Sequence, residues 1–476
     1  MRTIIGRRGE IELLETYMAS PKAEFVAVLG RRRVGKTFLI HNWASDKIAF
    51  EVSGVLEGSP EVQYQSFNQA LRDFGYNGDY KRNWFDLFVS LRDLLKRRLE
   101  SYTDGRLVVF IDELPCFDTK GHTFVQALGH FWNTWAQWQD NIMLVVCGSA
   151  TSWMVSNIID NHGGLHNRVT HEIHLRPFSL SETEQFFQSR NFVWDRKSML
   201  DVYMMVGGIP YYLDMFNNNE SVAQGIDRLF FKSGGELYRE FDRLFASLFR
   251  SPDIYVNIVK VLATNKSGLT RGDISKKLGI PSSGHLTKVL NDLVNCDFIS
   301  LGFVRDKKIS SKSGIYRLTD FYTLFYSHFA DRNSVEENFW TLNNGNSKIN
   351  SWMGLAFERV CFAHIDKIKQ KLRIDGISTK TYSWRSQKGS DTDGAQIDMI
   401  IERSDRMINL CEIKYCDSEY RIEKDEDMRL RNRKTRFLQE TGLKFGVFPT
   451  FVTTYGLARN QYSINVVSQV VMDDLF

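Results

Sequence analysis

The sequence predicts an α/β protein. A doubly wound parallel sheet comes first, a mainly helical middle comes next, and a further α/β unit closes the chain. Three observations predict this. Strand-like and helix-like segments alternate through the first third. Three of the strand-like segments hold near-continuous apolar runs, as parallel strands covered on both faces require. The length, 476 residues, fits about three domains at roughly 150 residues each.

Along the chain, EFVAVL (24–29), IAFEVSG (48–54), RLVVFI (106–111), NIMLVVCGS (141–149) and HEIHL (171–175) read as strands, with helical patterns such as 61–75 and 84–100 between them. The pattern changes after LRPFSLSETEQFF (175–187) and is mainly helical to about residue 250. Residues 253–318 read as a short helical set ending in a hairpin, and a mixed segment with its own strands begins after about 335. The divisions are thus 1–190 for the α/β core, 191–250 for a helical lid, 251–325 for a helix-turn-helix unit and 326–476 for the C-terminal unit.

Composition bounds the function. With 43% hydrophobic and 25% charged residues the chain is ordinary globular material, and wholesale disorder is excluded. A formal charge of +4 says nothing for nucleic acid by itself, so any basic surface must be local. Six cysteines (116, 147, 296, 361, 411, 416) include no CxxC pair, which argues against a disulfide framework or zinc ribbon and fits a reducing cytosol. No apolar run reaches the ~18 residues of a membrane helix, and MRTIIGRRGE lacks a signal peptide's apolar core. A cytoplasmic location is therefore expected.

The strongest motif is Gly30-Arg31-Arg32-Arg33-Val34-Gly35-Lys36-Thr37, a GxxxxGKT that comes after an apolar strand and opens the helical segment starting at Phe38. Backbone N–H groups of such a loop surround phosphates. Lys36 places a cation on the β/γ oxygens, and Thr37 offers a hydroxyl to Mg²⁺. RLVVFIDELP then delivers Asp112 and Glu113 at the end of a buried strand, facing the ligand crevice of an open α/β sheet. Asp112 fits the Mg²⁺-supporting carboxylate and Glu113 the group that polarises the attacking water. Ser149, after the next strand, is suited to the γ-phosphate or the lytic water, or simply to capping a helix. Arg168 is suited to be an arginine finger, in cis or from a neighbouring subunit, or to be a plain surface arginine.

On these grounds residues 1–245 resemble the archaeal-type P-loop ATPases, which lie near the AAA+ and STAND classes. The resemblance is carried by Gly6-Arg7-x-x-Glu10, GRRRVGKT, IDEL, the polar end of CGS, Arg168 and Gly207-Gly208-Ile209-Pro210. It implies ATP and Mg²⁺ as ligands, and Arg7 and Pro210 bordering the adenine. Read from the residues alone, GGIP is a tight turn before an apolar helix.

YVNIVKVLATN (255–265), LTRGDISKKLG (269–279) and SSGHLTKVLNDLVNCDFI (282–299) read as three helices, with a turn at Gly279-Ile280-Pro281 as in a helix-turn-helix and a wing hairpin after it. His285, Lys288, Arg305, Lys307, Lys308 and Lys312 are candidates for DNA contact. The third helix carries only one lysine against two aspartates, so packing on the ATPase core as a spring or lid stands as the alternative.

In the last segment Glu358 lies on an amphipathic helix, Asp398 begins an apolar strand, Glu412 and Lys414 share one strand face at i, i+2, and the spacing of the two strands fits a β-hairpin. This resembles the PD-(D/E)XK nuclease core. The chemistry suits it: Asp398 and Glu412 would hold Mg²⁺ on a phosphate with Glu358 in support, and Lys414 would orient the attacking hydroxide. Salt bridges on a strand face are the plain alternative. Arg429, Arg431, Arg433, Lys434 and Arg436 then form a basic helix, a phosphate track or a solvated face. Four histidines at 162, 166, 171 and 174 are awkwardly spaced for a shared metal.

The expected function is an Mg²⁺-dependent ATPase that switches its domain arrangement and acts on nucleic acid, DNA before RNA, through a nuclease-like domain. The rival is a nucleotide-gated binding or signalling module that cuts nothing, and a third reading makes ATP a structural ligand. A second copy of the chain or a protein partner is the further candidate for assembly.

Overall fold

The computed structural model describes residues 3–102, 105–119, 121–149, 151–160, 163–302, 314–331, 336–386 and 395–476. Its first sheet is made of β1 (Glu24–Leu29), β2 (Ile48–Ser53), β3 (Leu107–Asp112), β4 (Ile142–Cys147) and β5 (His171–His174) in the order β2-β3-β4-β1-β5. Every pairing is parallel. β1, β3 and β4 are buried at all six positions, which is why their sequences are apolar without alternation.

Helices cover both faces because their apolar residues recur at helical spacing. Trp84–Ser101 buries Trp84, Leu87, Phe88, Leu91, Leu94 and Leu95 on one stripe, and Asn83 caps it by accepting from the Asp86 N–H. Pro60–Asp73 starts with proline in its first turn and Ser59 as cap. Between them Phe67, Trp84, Phe117 and Phe124 meet edge-on or stacked, with centroids 4.7–6.2 Å apart. Removing one such ring costs about 3–5 kcal/mol.

The helix Leu180–Gln188 closes the first unit, and Arg196–Val206 and Glu236–Leu248 stand in the stretch 191–250 expected as a helical lid. After them stand the helices Pro252–Ala263, Arg271–Leu278 and Gly284–Asn295, with β6 (Leu269–Thr270), β7 (Ile299–Gly302) and β8 (Ile315–Leu318) in an antiparallel sheet ordered β6-β8-β7. The turn expected at Gly279 is there: Gly279 sits at φ 64 and ends Arg271–Leu278, a conformation costly for any residue with a Cβ. The basic residues Arg305, Lys307, Lys308 and Lys312, and His162, lie outside the described residues.

The expected junction at 325/326 falls within one rod. Phe321–Phe325 continues directly into a wider helical turn, Tyr326–Ala330. The physical reason is its apolar face: Tyr322 packs on Tyr212 at 4.8 Å and donates to Leu237 O, so this stretch belongs with the lid. The helices Ser347–Ala363 and Ile365–Lys371 then lead into a second five-stranded sheet. Its strands are β9 (Thr379–Arg385), β10 (Gln396–Arg403), β11 (Met407–Lys414), β12 (Gly446–Thr453) and β13 (Ser468–Val471), ordered β13-β12-β11-β10-β9. The hairpin expected between the Asp398 and Glu412 segments is β10/β11, antiparallel with Met399 opposite Cys411. No helix of the described residues is long and apolar enough to cross a membrane.

Candidate functional site

The loop after β1 wraps over the C-terminal edge of the sheet and hands the chain to Lys36–Trp43. Its two glycines are required. Gly30 is at φ 142, and a Cβ there would meet Leu175 O at 2.4 Å; Gly35 is at φ 92 with open space before it. Lys36 is buried and donates to Gly30 O (2.8 Å), Arg31 O (3.0 Å) and Ser149 Oγ (3.0 Å). The Ser149 hydroxyl in turn donates to Glu113 Oε1 at 2.6 Å, so Lys36, Ser149 and Glu113 form one hydrogen-bonded chain. Glu113 itself sits at φ 44 just past β3, a left-handed conformation uncommon for a glutamate and often found at functional sites.

Beside this chain Thr37 Oγ1 donates to Asp112 Oδ2 at 2.8 Å, while Asp112 Oδ1 is buried without a partner. A hydroxyl oxygen and an orphaned carboxylate oxygen, both hard donors, fit a Mg²⁺ ion. Burial lifts the Asp112 carboxyl above its ordinary range, Thr37 opposes the shift and adjacent Glu113 adds to it. Burial likewise lowers the Lys36 ammonium, against the pull of Glu113. In both cases burial disfavours the charged form, and the opposite charges nearby restore part of it.

The remaining candidates divide. Val34 is buried and Phe38 is 40% exposed at the first turn of the helix. The side chains of Arg31 and Arg33 face other modules rather than the loop's mouth. Arg31 is almost fully buried, pairs with Asp320 just after β8, and lies 4.9 Å from the Phe298 ring. Burial alone would lower its pKa, but Asp320 more than reverses this and the pKa is raised. Arg33 reaches Glu240 of the lid at 2.7 Å and stacks 3.9 Å over Tyr211. Only the backbone N–H groups of these two remain for phosphate; Arg32 is half-exposed.

Arg7 is buried, donating to Arg176 O (2.6 Å) and Val34 O (3.0 Å) and lying 4.5 Å from the Phe178 ring. It braces the loop through backbone carbonyls. Gly208 presses on the same Phe178, where a Cβ would come within 1.9 Å of its carbonyl oxygen, and Pro210 starts the short helix Pro210–Leu213. Arg168 is exposed on the turn before β5, with no side-chain bond to Lys36 or Glu113. Of the histidines, His171 stacks on Tyr17 and meets Glu24, and His174 meets Asp297.

In the C-terminal sheet Asp398 accepts from Ile413 N at 3.0 Å, and Glu412 lies on the facing strand one step beyond the Met399–Cys411 pair. Glu412 Oε1 takes Lys414 at 2.9 Å and Arg433 at 2.6 Å. Burial pushes the Asp398 carboxyl up to about 6, with Glu412 adding and the Ile413 N–H opposing. Burial, then Asp398, pushes Glu358 up to about 7. For Lys414 burial opposes the charge and Glu412 overrides it, so its pKa is raised. The three acids and the lysine expected together are therefore electrostatic neighbours. Among the described residues, however, no group of three or more His, Cys, Asp or Glu side chains converges to hold a metal ion. Glu412 is drawn instead into the two ion pairs. Arg433, one of the expected basic-helix residues, thus has a definite carboxylate partner.

Sequence reading missed the Arg31–Asp320 and Arg33–Glu240 links. The one available signal was three consecutive arginines in a loop whose phosphate work needs backbone amides and a single lysine.

Residues 5–216 match the family described as an ATPase domain predominantly from Archaea. An uncharacterized protein of Methanocaldococcus jannaschii is 23% identical over 434 residues, covering 89% of each chain. Among solved structures, a Walker-type ATPase of Pyrococcus abyssi is 18% identical with a TM-score of 0.49, over 68% of this chain and 96% of that one. The ORC2 protein of Aeropyrum pernix, in its ADPNP–ADP complexes, is 14% identical with a TM-score of 0.39, over 67% and 92%.

Proposed function

With residues 5–216 an archaeal-type ATPase domain, we propose that the chain binds and hydrolyses ATP at the Gly30–Thr37 loop and uses the cycle to rearrange its other modules. The observation that carries this is the chain from Lys36 through Ser149 to Glu113, set beside the Thr37–Asp112 pair. In the reaction the loop amides and Lys36 bind the triphosphate and Glu113 accepts a proton from the attacking water. Thr37 and Asp112 would hold Mg²⁺, which would supply charge neutralisation on the phosphates. Ser149 donates to Glu113 and accepts from Lys36, so a change at one is felt by the other. Arg168, exposed as a finger offered to a second copy must be, acts in trans in this reading.

Domain switching is supported by Arg31 and Arg33. Both leave a loop that must adjust to phosphate and both end on buried carboxylates of other modules. The 251–320 unit has the three helices and three-stranded sheet of a winged helix, and serves as the element that Arg31 grips through Asp320.

The C-terminal unit is a nuclease-like domain that engages nucleic acid; Asp398, Glu412 and Glu358 would take Mg²⁺, and Lys414 would assist, only once Glu412 leaves its two ion pairs. The facing placement of Asp398 and Glu412 and the raised carboxyls of Asp398 and Glu358 support this. The pairing of Glu412 with Lys414 and Arg433 favours the second reading, a domain that grips without cutting, unless a metal displaces those cations. The test uses purified full chain on plasmid and single-stranded DNA, with and without ATP and Mg²⁺. Lys36→Ala should abolish ATP turnover, and Asp398→Ala should abolish Mg²⁺-dependent cleavage. Cleavage unchanged in Asp398→Ala removes the nuclease assignment. ATP turnover unchanged in Lys36→Ala removes the ATPase assignment at this loop.

A further inference from the structure

A cavity of about 1680 Å³ lies between the ATPase domain, the 253–318 unit and the C-terminal sheet. Small-molecule pockets run to roughly 300–1,000 Å³, so there is room here for more than a mononucleotide. Glu358 and Asp398 are on its wall, and so are Arg317 and Arg359.

The cations of this wall are unequally matched. Arg7, Arg31 and Arg436 each have a carboxylate partner, Glu10, Asp320 and Glu440. Arg317 has none within ion-pair distance among the described residues: it donates to Ser267 O at 3.3 Å and to Ser383 Oγ at 2.9 Å. Among the described residues Arg359 makes one side-chain hydrogen bond, to Leu355 O at 3.4 Å. Half-buried guanidinium groups that make no ion pair among the described residues carry an uncompensated desolvation cost. An incoming anion offsets that cost, and the planar fork of arginine suits phosphate. Trp384 of β9 lines the same wall, half-buried, with Phe437 edge-on behind it at 5.4 Å.

We propose that this cavity takes single-stranded nucleic acid, with a backbone phosphate on Arg317 and Arg359 and an unpaired base against Trp384. The inference rests on the reading of the C-terminal unit as nucleic-acid-binding and names the form of nucleic acid. A duplex keeps its base faces stacked inside, whereas a single strand offers them to an aromatic ring. The strand so held runs past Glu358 and Asp398, which is where a phosphodiester would have to be for those acids to act on it.

The experiment measures binding of a fluorescent oligothymidylate and of a matched duplex to the full chain, by anisotropy, across a salt series without Mg²⁺. Single strand should bind more tightly than duplex. Arg317→Gln and Arg359→Gln should each weaken single-strand binding by about 10- to 100-fold, as for a lost charge-assisted hydrogen bond, and lower the salt slope by about 0.7. Arg359→Lys should recover part of the loss, and Trp384→Leu should weaken binding at unchanged salt slope. Melting midpoints check folding; if the Gln variants melt early, the Lys variants and the salt slope are read instead. Single-strand affinity and slope unchanged in the arginine variants, or duplex bound as tightly as single strand, overturns the proposal. If the native chain binds no nucleic acid at all, the reading of the C-terminal unit falls with it. Binding that ignores both arginines removes this placement alone.

Discussion

Asp320→Asn isolates the worth of the link between the Gly30–Thr37 loop and the segment that follows β8. The Arg31 and Asp320 side chains are 1% and 3% exposed, so solvent screens neither. Two further guanidinium nitrogens of Arg31, Nε and Nη2, have no hydrogen-bond partner among the described residues. Asp320 therefore provides the largest compensation for that buried charge, with Tyr212 and Asp297 adding to it. Asparagine keeps the other duty of Asp320, capping the helix Phe321–Phe325 by accepting from the Thr323 N–H at 2.9 Å, because it caps about as well as aspartate. The result is an unpaired buried cation, at a cost of about 3–5 kcal/mol. For a cooperative unit of 150–250 residues, roughly 2–4 °C per kcal/mol turns this into a fall of about 6–20 °C. Calorimetry should show it, and isothermal titration should show weaker ATP binding because the loop carrying Arg31 loses its anchor. Arg31→Met added to Asp320→Asn removes the stranded charge and should recover most of the stability. A single variant melting within ~1 °C of the native chain, or a double variant as unstable as the single, would refute the reasoning.

Three other outcomes are expected. Glu113→Gln should retain ATP affinity while turnover falls about 100- to 10,000-fold, the usual worth of a positioned general base; single-turnover assays check it. Ser149→Ala breaks the chain between Lys36 and Glu113 and should slow hydrolysis about 10- to 100-fold, one charge-assisted hydrogen bond converted at ~1.4 kcal/mol per decade, and an unchanged rate would show that the serine relays nothing. His364 is buried, its Nε2 accepting from Leu180 N at 3.0 Å and its other nitrogen 2.9 Å from Val360 O, and burial lowers its pKa. The unfolded chain then takes up a proton near pH ~6.5 that the folded chain refuses, so stability should be full above that pH and fall as pH drops through it toward the lowered folded value. Melts from pH 8 to 5 should show this slope and His364→Gln should flatten it.

The first sheet was legible because its signals are local. Apolar runs at 24–29, 106–111 and 141–149 could only be strands covered on both sides, and GxxxxGKT dictates both the turn and the phosphate chemistry of the helix it opens. The β10/β11 hairpin was legible for the same reason, two short apolar strands with the acids at matching ends. The helix through 325/326 was not, since its reason for being is the contact of Tyr322 with Tyr212 and Leu237, residues roughly a hundred positions away. Side-chain direction in the phosphate loop was equally hidden. Three arginines look alike in sequence, and only the distant Asp320 and Glu240 decide that two of them turn aside. The engagement of Glu412 by Arg433 shows a third kind of failure: both residues were singled out, but a helix and a strand had to meet before they became partners.

The rod running from Phe321 to Ala330 bears on how the molecule can be divided. Phe325 and Phe329 on it contact Trp340 and Trp352, which come after it. A fragment stopped at residue 325 would bare a sticky aromatic seam and end midway along a screw thread, and such a truncate should aggregate on expression. Severing the chain beyond Ala363 instead would leave those rings covered by their own neighbours, so the N-terminal part is better recovered as the longer piece.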